Sequence, residues 1–343
     1  TPTGDATAHN VSGITGYAGN NGIKYTVGNS TVTYAGDTET VSLDITYNID
    51  GFSVTGYTDG NGNALTHVSG NTYTLTMTAN APTVTPVGSD VWGITTDGRD
   101  GSAEHPYLIT TTEGLDLLAK RVNGIDGYSA NTYSDKYFEL GNDITYSYAS
   151  LGNGESNYTA IGTKDHDFRG KFDGKGHTIS GIRINANADN QGLFGYIHYA
   201  EVKNLTINDT HITIGSANKC AGAITGYSNV GNLIENCHIT NSVIVSGGDD
   251  IGGIVGDMEC IVRGCTSAAT VSGNNRVGGL VGYLVDDDIE NCLVLGATIS
   301  GNENVGVLAG EVYYGGYENS YYIGTSVNGA TGSIAYELLV AKI

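Results

Sequence analysis

The stretch Arg276-Val-Gly-Gly-Leu-Val-Gly-Tyr283 decides the fold, because versions of its glycine block occur five times along the chain. The last glycines of the blocks lie at positions 195, 226, 256, 282 and 310, so the steps between them are 31, 30, 26 and 28 residues. A period of this length indicates one supersecondary unit per repeat, stacked on its neighbours. The blocks are Gly192-Leu-Phe-Gly-Tyr196, Gly222-Ala-Ile-Thr-Gly-Tyr227, Gly252-Gly-Ile-Val-Gly-Asp257, Gly278-Gly-Leu-Val-Gly-Tyr283 and Gly306-Val-Leu-Ala-Gly-Glu311.

A second set of similar residues follows each block after about nine positions. One member of each set is Asn or Gly, the residues that accept a positive φ at least cost. These positions, called the bend column below, predict a sharp bend between two strands, with left-handed or bridge-region backbone. The bend column consists of Asn204, Asn236, Gly264, Asn291 and Asn319.

Short runs rich in β-branched residues follow the bends, so each period is expected to hold about three short strands and no helix. Strands separated by polar turns would also fit a β-sandwich, but columns of like residues in phase favour a solenoid. The sequence therefore predicts an all-β chain whose repeats stack as a parallel β-helix. The runs are Ile212-Thr-Ile214, Val243-Ile-Val245, Ala269-Thr-Val271 and Ala297-Thr-Ile299.

The blocks resemble the GLUG motif of bacterial surface proteins and adhesins. Phe168-Arg-Gly-Lys-Phe-Asp-Gly-Lys-Gly-His-Thr-Ile-Ser-Gly-Ile-Arg-Ile184 is similar to the segment that precedes such repeats, and the resemblance covers about residues 93–325. It implies a right-handed parallel β-helix and a cell-surface or secreted bacterial location, and it supplies no catalytic residues. The first block is one residue shorter than the others, which suggests an irregular coil.

The chain divides by pattern into a small β-sandwich-like module at 1–90 and a repeat domain at 91–343. Alternating segments between Gly and Asn turns predict strands at 24–27, 31–34, 41–47, 52–55 and 73–77. Asp59-Gly-Asn-Gly-Asn63 has the first spacing of a calcium loop, but the twelfth position is Gly70, so a hairpin turn is favoured.

One helix is expected near 111–122, where Thr110-Thr-Thr-Glu113 has the form of a capping box and Asn123-Gly124 ends the pattern. Leu115, Leu118 and Val122 share one face of this helix. It is expected to cap the first coil, whose open edge would otherwise pair with other chains. Further strands are expected at 137–140, 143–145 and 178–184.

The composition limits the classes of partner that the chain is expected to bind. With 15 Lys and Arg against 36 Asp and Glu, the formal net charge is −21, which argues against nucleic acid and anionic membrane. The sequence contains neither a membrane-length apolar run nor a signal peptide, and Thr1-Pro-Thr-Gly4 resembles the start of a trimmed export product. The partners expected are a host or dietary glycan or a surface protein.

Three of the five cysteines, Cys237, Cys265 and Cys292, occupy one repeat position. A metal or redox ladder is one interpretation, but stacked positions do not converge on an ion as a zinc site requires. The sequence favours a column of small buried apolar side chains, which stay reduced because stacked Cβ vectors do not suit a disulfide.

The candidate catalytic residues do not form a complete catalytic pattern in the sequence. Asp249-Asp250 precedes a glycine block whereas Asp286-Asp-Asp288 follows one, so the two acid clusters are expected on different edges. Gly176-His-Thr178 and Ile182-Arg-Ile184 match only fragments of the pectin-cleaving pattern. No catalytic, cofactor-binding or metal-binding residue is predicted. A non-catalytic, adhesin-like or ligand-binding surface scaffold is favoured over a polysaccharide-cleaving lyase or hydrolase.

Tyrosine is common, with 23 residues, and five of them crowd the last repeat. Such rings would stack on sugars or cover the end of the solenoid, and the cover is favoured. They are Tyr313, Tyr314, Tyr317, Tyr321 and Tyr322.

Overall fold

The repeats stack as a parallel β-helix in the computed structural model of the chain, which describes residues 23–27, 30–35, 40–47, 50–59, 62–70, 72–76, 84–152 and 154–329. Successive coils pair in parallel and in phase, with Gly252 opposite Gly278 and Gly278 opposite Gly306. The predicted all-β parallel solenoid is confirmed, and the sandwich alternative is wrong for the repeat region.

One wall of the solenoid is an eleven-stranded sheet, called the long sheet below. In each repeat it includes the end of the glycine block and the residues that lead to the bend column. Its strands are Tyr107–Ile109, Tyr137–Leu140, Lys171–Asp173, Phe194–Ile197, Glu201–Lys203, Thr225–Glu235, Val255–Arg263, Val281–Asp286, Asp288–Glu290, Ala309–Val312 and Gly316–Glu318.

Three further parallel sheets complete the coils. A seven-stranded sheet follows the bends, with strands Ile144–Thr145, Thr178–Ser180, Thr206–Asn208, His238–Ile239, Thr266–Ser267, Leu293–Leu295 and Tyr321–Ile323. A six-stranded sheet holds Arg183–Ala186, His211–Ile214, Ile244–Ser246, Thr270–Ser272, Thr298–Ser300 and Ser326–Asn328. A four-stranded sheet holds Lys219–Ala221, Asp249–Gly252, Asn275–Gly278 and Glu303–Gly306.

From residue 219 onward each coil therefore has strands in four sheets, not the three strands expected. The additional strand leads into the glycine block, ending just before or at its first glycine, and pairs with its counterparts in adjacent coils. The sequence analysis assigned no strand there. Parallel pairing with the equivalent segments of adjacent coils stabilises it.

The bend column has the predicted backbone. All five members have positive φ, between 45° and 62°. The prediction of left-handed geometry at Asn204, Asn236, Gly264, Asn291 and Asn319 is confirmed. In contrast, the single strand expected at 178–184 is two strands, because the chain turns at Gly181 with φ 79°. The carbonyl of Tyr146 lies against this glycine, so no side chain fits there.

The capping helix spans Thr112–Asn123 and ends at Gly124, whose N–H donates to the Lys120 carbonyl. Leu115, Leu118 and Val122 are buried in the same core as the coils, so the predicted cap is confirmed. The predicted capping box is wrong in detail. Thr111, not Thr110, caps the helix by accepting from the Gly114 N–H at 3.2 Å, which places Glu113 one position too early to bond back.

The described residues between 23 and 90 contain the predicted strands in two antiparallel sheets; Met77, at the end of the strand expected at 73–77, lies outside the described residues. A five-stranded sheet is ordered Ile23–Val27, Ser30–Ala35, Thr40–Tyr47, Thr72–Thr76, Thr66–Ser69, and a two-stranded sheet pairs Phe52–Asp59 with Val84–Asp90. The Asp59 carboxylate accepts from the Asn63 backbone N–H and side-chain amide, as expected of a tight turn. The division at 90/91 stays a proposal.

Asp50, beside these sheets, reaches the first coils. It accepts hydrogen bonds from Arg121 of the capping helix and from the Tyr133 hydroxyl, at 2.5 and 2.8 Å. The short helix Ile94–Asp97 and the buried Trp92 lie at the junction, and the Trp92 indole N–H donates to the Gly114 carbonyl at 2.9 Å. Charged and aromatic contacts therefore join the two parts of the chain.

The three stacked cysteines are buried in one column. The Sγ of Cys265 lies 3.3 Å from the Cys237 backbone nitrogen, and the Sγ of Cys292 lies 3.3 Å from that of Cys265. Burial raises the pKa of the Cys265 thiol well above its ordinary value. This geometry supports the small apolar column, and the reduced state of the thiols stays a prediction for mass spectrometry of the unreduced protein.

Candidate functional site

The outer face of the long sheet carries one residue per coil directly after the last glycine of each block. These residues, called the tyrosine–acid column, are paired in register along the solenoid. All of them are partly exposed. The members are Tyr196, Tyr227, Asp257, Tyr283 and Glu311.

Contacts between coils hold the first two members of the column. The rings of Tyr196 and Tyr227 stack with centroids 4.7 Å apart and planes 13° from parallel. Asn229 donates to the Tyr196 hydroxyl at 3.1 Å, and the Tyr227 hydroxyl donates to Glu259 at 3.4 Å. Because the rings and hydroxyls are fixed, the face is preorganised for a ligand.

A second column of left-handed residues runs beside it, two positions before the first glycine of each block. Its members have φ between 47° and 65°. They are chemically diverse, which is why the sequence analysis missed them; the only signal was the constant offset of two residues. The second left-handed column consists of Asn190, Cys220, Asp250, Arg276 and Asn304.

The two columns meet at a charged corner. Asp250 is 2% exposed, and both of its carboxylate oxygens accept from the Arg276 guanidinium, one of them at 2.9 Å. The guanidinium also lies 4.4 Å from the centroid of the Tyr283 ring. Burial raises the pKa of Asp250, and the Arg276 hydrogen bonds oppose that rise.

Asp257 is the least satisfied group of the corner. Its Oδ1 is buried and has no hydrogen-bond partner among the described residues. Burial and, next, the charge of Asp250 raise the pKa of Asp257 to about 7, although Arg276 opposes the rise. Asp257 therefore changes between its neutral and charged forms near neutral pH, whereas an ordinary surface carboxyl is already charged there.

The corner offers three ligand atoms of the kinds that bind metals. The Cys220 thiol and one oxygen each of Asp250 and Asp257 lie within 4.8 Å of one another. Arg276, however, already bonds both oxygens of Asp250 and supplies its positive charge. A zinc site also needs a fourth ligand. That no metal, cofactor or catalytic residue is present stays a prediction from the sequence.

The two acid clusters singled out in the sequence lie on different sheets, as expected. Asp249 and Asp250 belong to the four-stranded sheet, whereas Asp286 and Asp288 belong to the long sheet. The sequence analysis did not foresee that Asp250 and Asp257 of one coil would approach each other around the glycine block. Gly176-His-Thr178 and Ile182-Arg-Ile184 enter the seven- and six-stranded sheets of one coil, away from this pair.

The tyrosines of the last repeat divide between two roles. Tyr317 and Tyr322 pack against the core, as the predicted cover requires. Tyr313 and Tyr314 are each 63% exposed, so for these two residues the cover is wrong. They lie between the strands Ala309–Val312 and Gly316–Glu318, and their backbone N–H groups donate to Leu284 and Val285 of the preceding coil while the side chains stay exposed.

No protein-family model matches the sequence, so the GLUG resemblance stays a prediction. Two curated proteins are similar at 31% identity. One, from Evansella cellulosilytica, is named "Putative Gly-rich membrane protein" and aligns over 190 residues, 46% of this chain and 20% of its own length. The other is Halomucin of Haloquadratum walsbyi, which aligns over 163 residues, 46% of this chain and 2% of its own. The chain thus spans a fifth or less of these relatives.

Among solved structures, a similar chain is that of "a putative immunoglobulin A1 protease from Bacteroides ovatus". It shares 21% sequence identity, and the match covers 71% of this chain and 83% of that one with a TM-score of 0.49. Within the described part of the present chain, no helix has the length and apolar character needed to cross a membrane.

Proposed function

We propose that the chain is part of an exported bacterial surface protein, a non-catalytic, adhesin-like scaffold that binds a ligand on the long sheet. The observation that carries the proposal is the tyrosine–acid column, with rings and hydroxyls fixed between coils. Fixed aromatic side chains beside hydrogen-bonding groups suit glycans and protein surfaces. The net charge of −21 disfavours polyanionic partners.

The similarity to a protein named as a membrane protein and to Halomucin supports a surface setting. Rigid repeats also suit display, because a solenoid presents an extended surface that changes little from coil to coil. A glycan of host or dietary origin, or another surface protein, is the expected partner.

A polysaccharide-cleaving enzyme is the second candidate, and the approach of Asp250 to Asp257 favours it. Glycoside hydrolysis uses two carboxyl groups roughly 5–10 Å apart whose pKa values differ. The burial of Asp250 and its pairing with Arg276 oppose this role, because neither substrate nor water reaches a sealed carboxylate.

The test is incubation of the protein with a panel of plant and host glycans, with and without calcium, while both binding and new reducing or unsaturated ends are measured. The scaffold proposal expects binding without new ends. Turnover that Asp257→Asn abolishes and the matched exposed substitution Asp286→Asn leaves intact would replace it with the enzyme.

A further inference from the structure

Tyr199 has a left-handed backbone conformation, which other coils show at residues better suited to it. In four coils the long-sheet segment contains one left-handed residue, namely Tyr199, Gly231, Asp287 and Gly315, with φ of 51°, 73°, 67° and 92°. Gly231 lies within a continuous strand, whereas the other three lie between strands. Tyr199 and Gly231 are direct neighbours, each three residues before the paired Val202 and Ile234. Left-handed geometry costs a residue with a Cβ roughly 1–2 kcal/mol, least for Gly, Asn and Asp. A bulky aromatic residue is therefore unexpected there.

Burial of the Tyr199 side chain does not offset this conformational free energy. It is 57% exposed. Its ring stacks on His198, with centroids 4.4 Å apart and planes 23° from parallel. It also lies over Gly231, where an added Cβ would come within 2.7 Å of the ring. Strained residues that persist without a packing reason concentrate at functional sites.

His198 is held in one tautomer by a buried carboxylate. Asp167 is 8% exposed and lies 3.0 Å from His198 Nδ1, and its other oxygen accepts from Arg169 Nε at 3.0 Å. Because a carboxylate only accepts hydrogen bonds, Nδ1 of the neutral ring carries the proton and Nε2 is an acceptor. Nε2 has no hydrogen-bond partner among the described residues.

Within the described part of the chain, the charges around the two rings are paired except for the Lys171 ammonium. Asp167 is shared between Arg169 and His198, and Lys203 pairs with Glu201 at 2.6 Å. The Lys171 ammonium donates to the Tyr199 carbonyl at 3.4 Å. The net charge of −21 disfavours an anionic ligand despite this single cation, so the patch suits a neutral molecule that combines an apolar face with a hydroxyl donor.

We propose that His198 and Tyr199 bind one pyranose ring of a neutral glycan. The C–H face of the sugar packs on the exposed part of the Tyr199 ring, and a sugar hydroxyl donates to Nε2 of His198. This inference rests on the proposed function, since it names the ligand class of the same long sheet. It places the contact at the first glycine block, beside Tyr196 of the tyrosine–acid column.

The experiment is a saturation-transfer NMR titration of the full chain with cellohexaose, mannohexaose, chitohexaose and hexagalacturonate. Tyr199→Gly removes the ring and supplies the residue found at 231 and 315, so the fold is expected to persist. His198→Phe keeps the stacked ring and removes the acceptor. The control is Tyr314→Gly, which removes a similarly exposed tyrosine at the far end of the solenoid.

We expect at least one neutral hexaose to bind, with Kd raised tenfold or more by Tyr199→Gly, severalfold by His198→Phe and not by Tyr314→Gly. Glycan binding that Tyr199→Gly leaves intact would overturn this site while the proposed scaffold function stands. Binding of hexagalacturonate in preference to the neutral probes would overturn the ligand class. Absence of binding to every glycan would overturn the site and weaken the glycan form of the proposed function.

Discussion

Two columns of left-handed residues run along the solenoid, and they differ in how much the sequence varies within them. The bend column contains only Asn and Gly, whereas the second left-handed column contains Asn, Cys, Asp and Arg. Their φ values nevertheless overlap, at 45–62° and 47–65°. The comparison shows that stacking between coils imposes the backbone conformation, while the local environment decides which side chains are tolerated.

The second left-handed column tolerates larger side chains because its members have partners. Asp250 is bonded by Arg276, and the two residues are members of the same column in adjacent coils. The bend column, which lies wholly within the described residues, has no ion pair among its members. Asn204 donates to Asp173 at 3.0 Å, and Asn236 donates to Asn204 at 3.4 Å. A residue there gains little to offset a strained backbone, so those with the lowest intrinsic cost predominate.

The largest expected effect comes from the glycine that contacts the second left-handed column. A Cβ at Gly282 would lie 2.5 Å from the carbonyl carbon of Asp250 in the coil below. Backbone atoms cannot move aside within a stacked sheet, so Gly282→Ala should lower the free energy of unfolding by about 3 kcal/mol or more. Chemical denaturation measures this change.

Gly316→Ala is the control for this prediction. It lies in the same sheet, and the nearest atom to its added Cβ is a side-chain oxygen of Asp288 at 3.6 Å, an ordinary contact. It should cost less than about 1 kcal/mol. Equal stability of the two variants would contradict the close stacking described here.

The next effect concerns the partnered charges. Arg276→Met leaves Asp250 buried without a counter-charge, so we expect the free energy of unfolding to fall by about 2–4 kcal/mol at neutral pH. The Asp250→Asn/Arg276→Met double variant should recover most of that loss. Arg263→Met is the matched control, because Arg263 pairs with Glu235 and Glu290 at a more exposed position. It should cost about 1 kcal/mol or less. A double variant no more stable than Arg276→Met would argue against the pair.

Asp257 should make stability depend on pH in the reverse of the usual direction for a carboxyl group. Its pKa is about 7 in the folded chain, against about 3.9 for an unfolded Asp. Between these values folding takes up a proton, so the free energy of unfolding falls as pH rises, by at most about 1.4 kcal/mol per pH unit, and levels off above pH 7.

Asp257→Asn should remove this contribution. We expect the variant to be more stable than the native protein by about 1–3 kcal/mol at pH 8 and to approach it near pH 4. Urea unfolding across that range measures the difference, with the exposed Asp286→Asn as control. Parallel curves for Asp257→Asn and the native protein would show that Asp257 titrates normally.

The fold was predictable from the repeat positions that carry similar residues in every coil. Similar glycine blocks and the bend column required a repeated backbone and were sufficient to identify the parallel coils. The apolar face and the stop signal at Asn123-Gly124 were sufficient to identify the capping helix. Two features were inaccessible for physical reasons. The strand that leads into each block depends on pairing between coils, because its few and dissimilar residues do not indicate a strand by themselves. The capping position depends on which of three adjacent threonines, Thr110 to Thr112, has extended backbone.

The candidate site was less predictable, because its residues are chemically unlike one another. Cys220, Asp250 and Arg276 share a backbone position but no side-chain type. Asp257 lies near Cys220 and Asp250 because the chain turns at the glycine block between Asp250 and Asp257. The tyrosine–acid column, by contrast, follows directly from the residue after each last glycine, and the sequence analysis overlooked this constant position.

The most direct test of the stacking account is the free energy of unfolding of two variants at one bend position, Asn236→Gly and Asn236→Val. If stacking requires positive φ there, Asn236→Gly should unfold within about 0.5 kcal/mol of the native protein, as expected from Gly264 in the next coil. Asn236→Val should lose about 1–3 kcal/mol, because a β-branched residue resists left-handed backbone. Equal stability of the Val and Gly variants would contradict a backbone requirement at the bend.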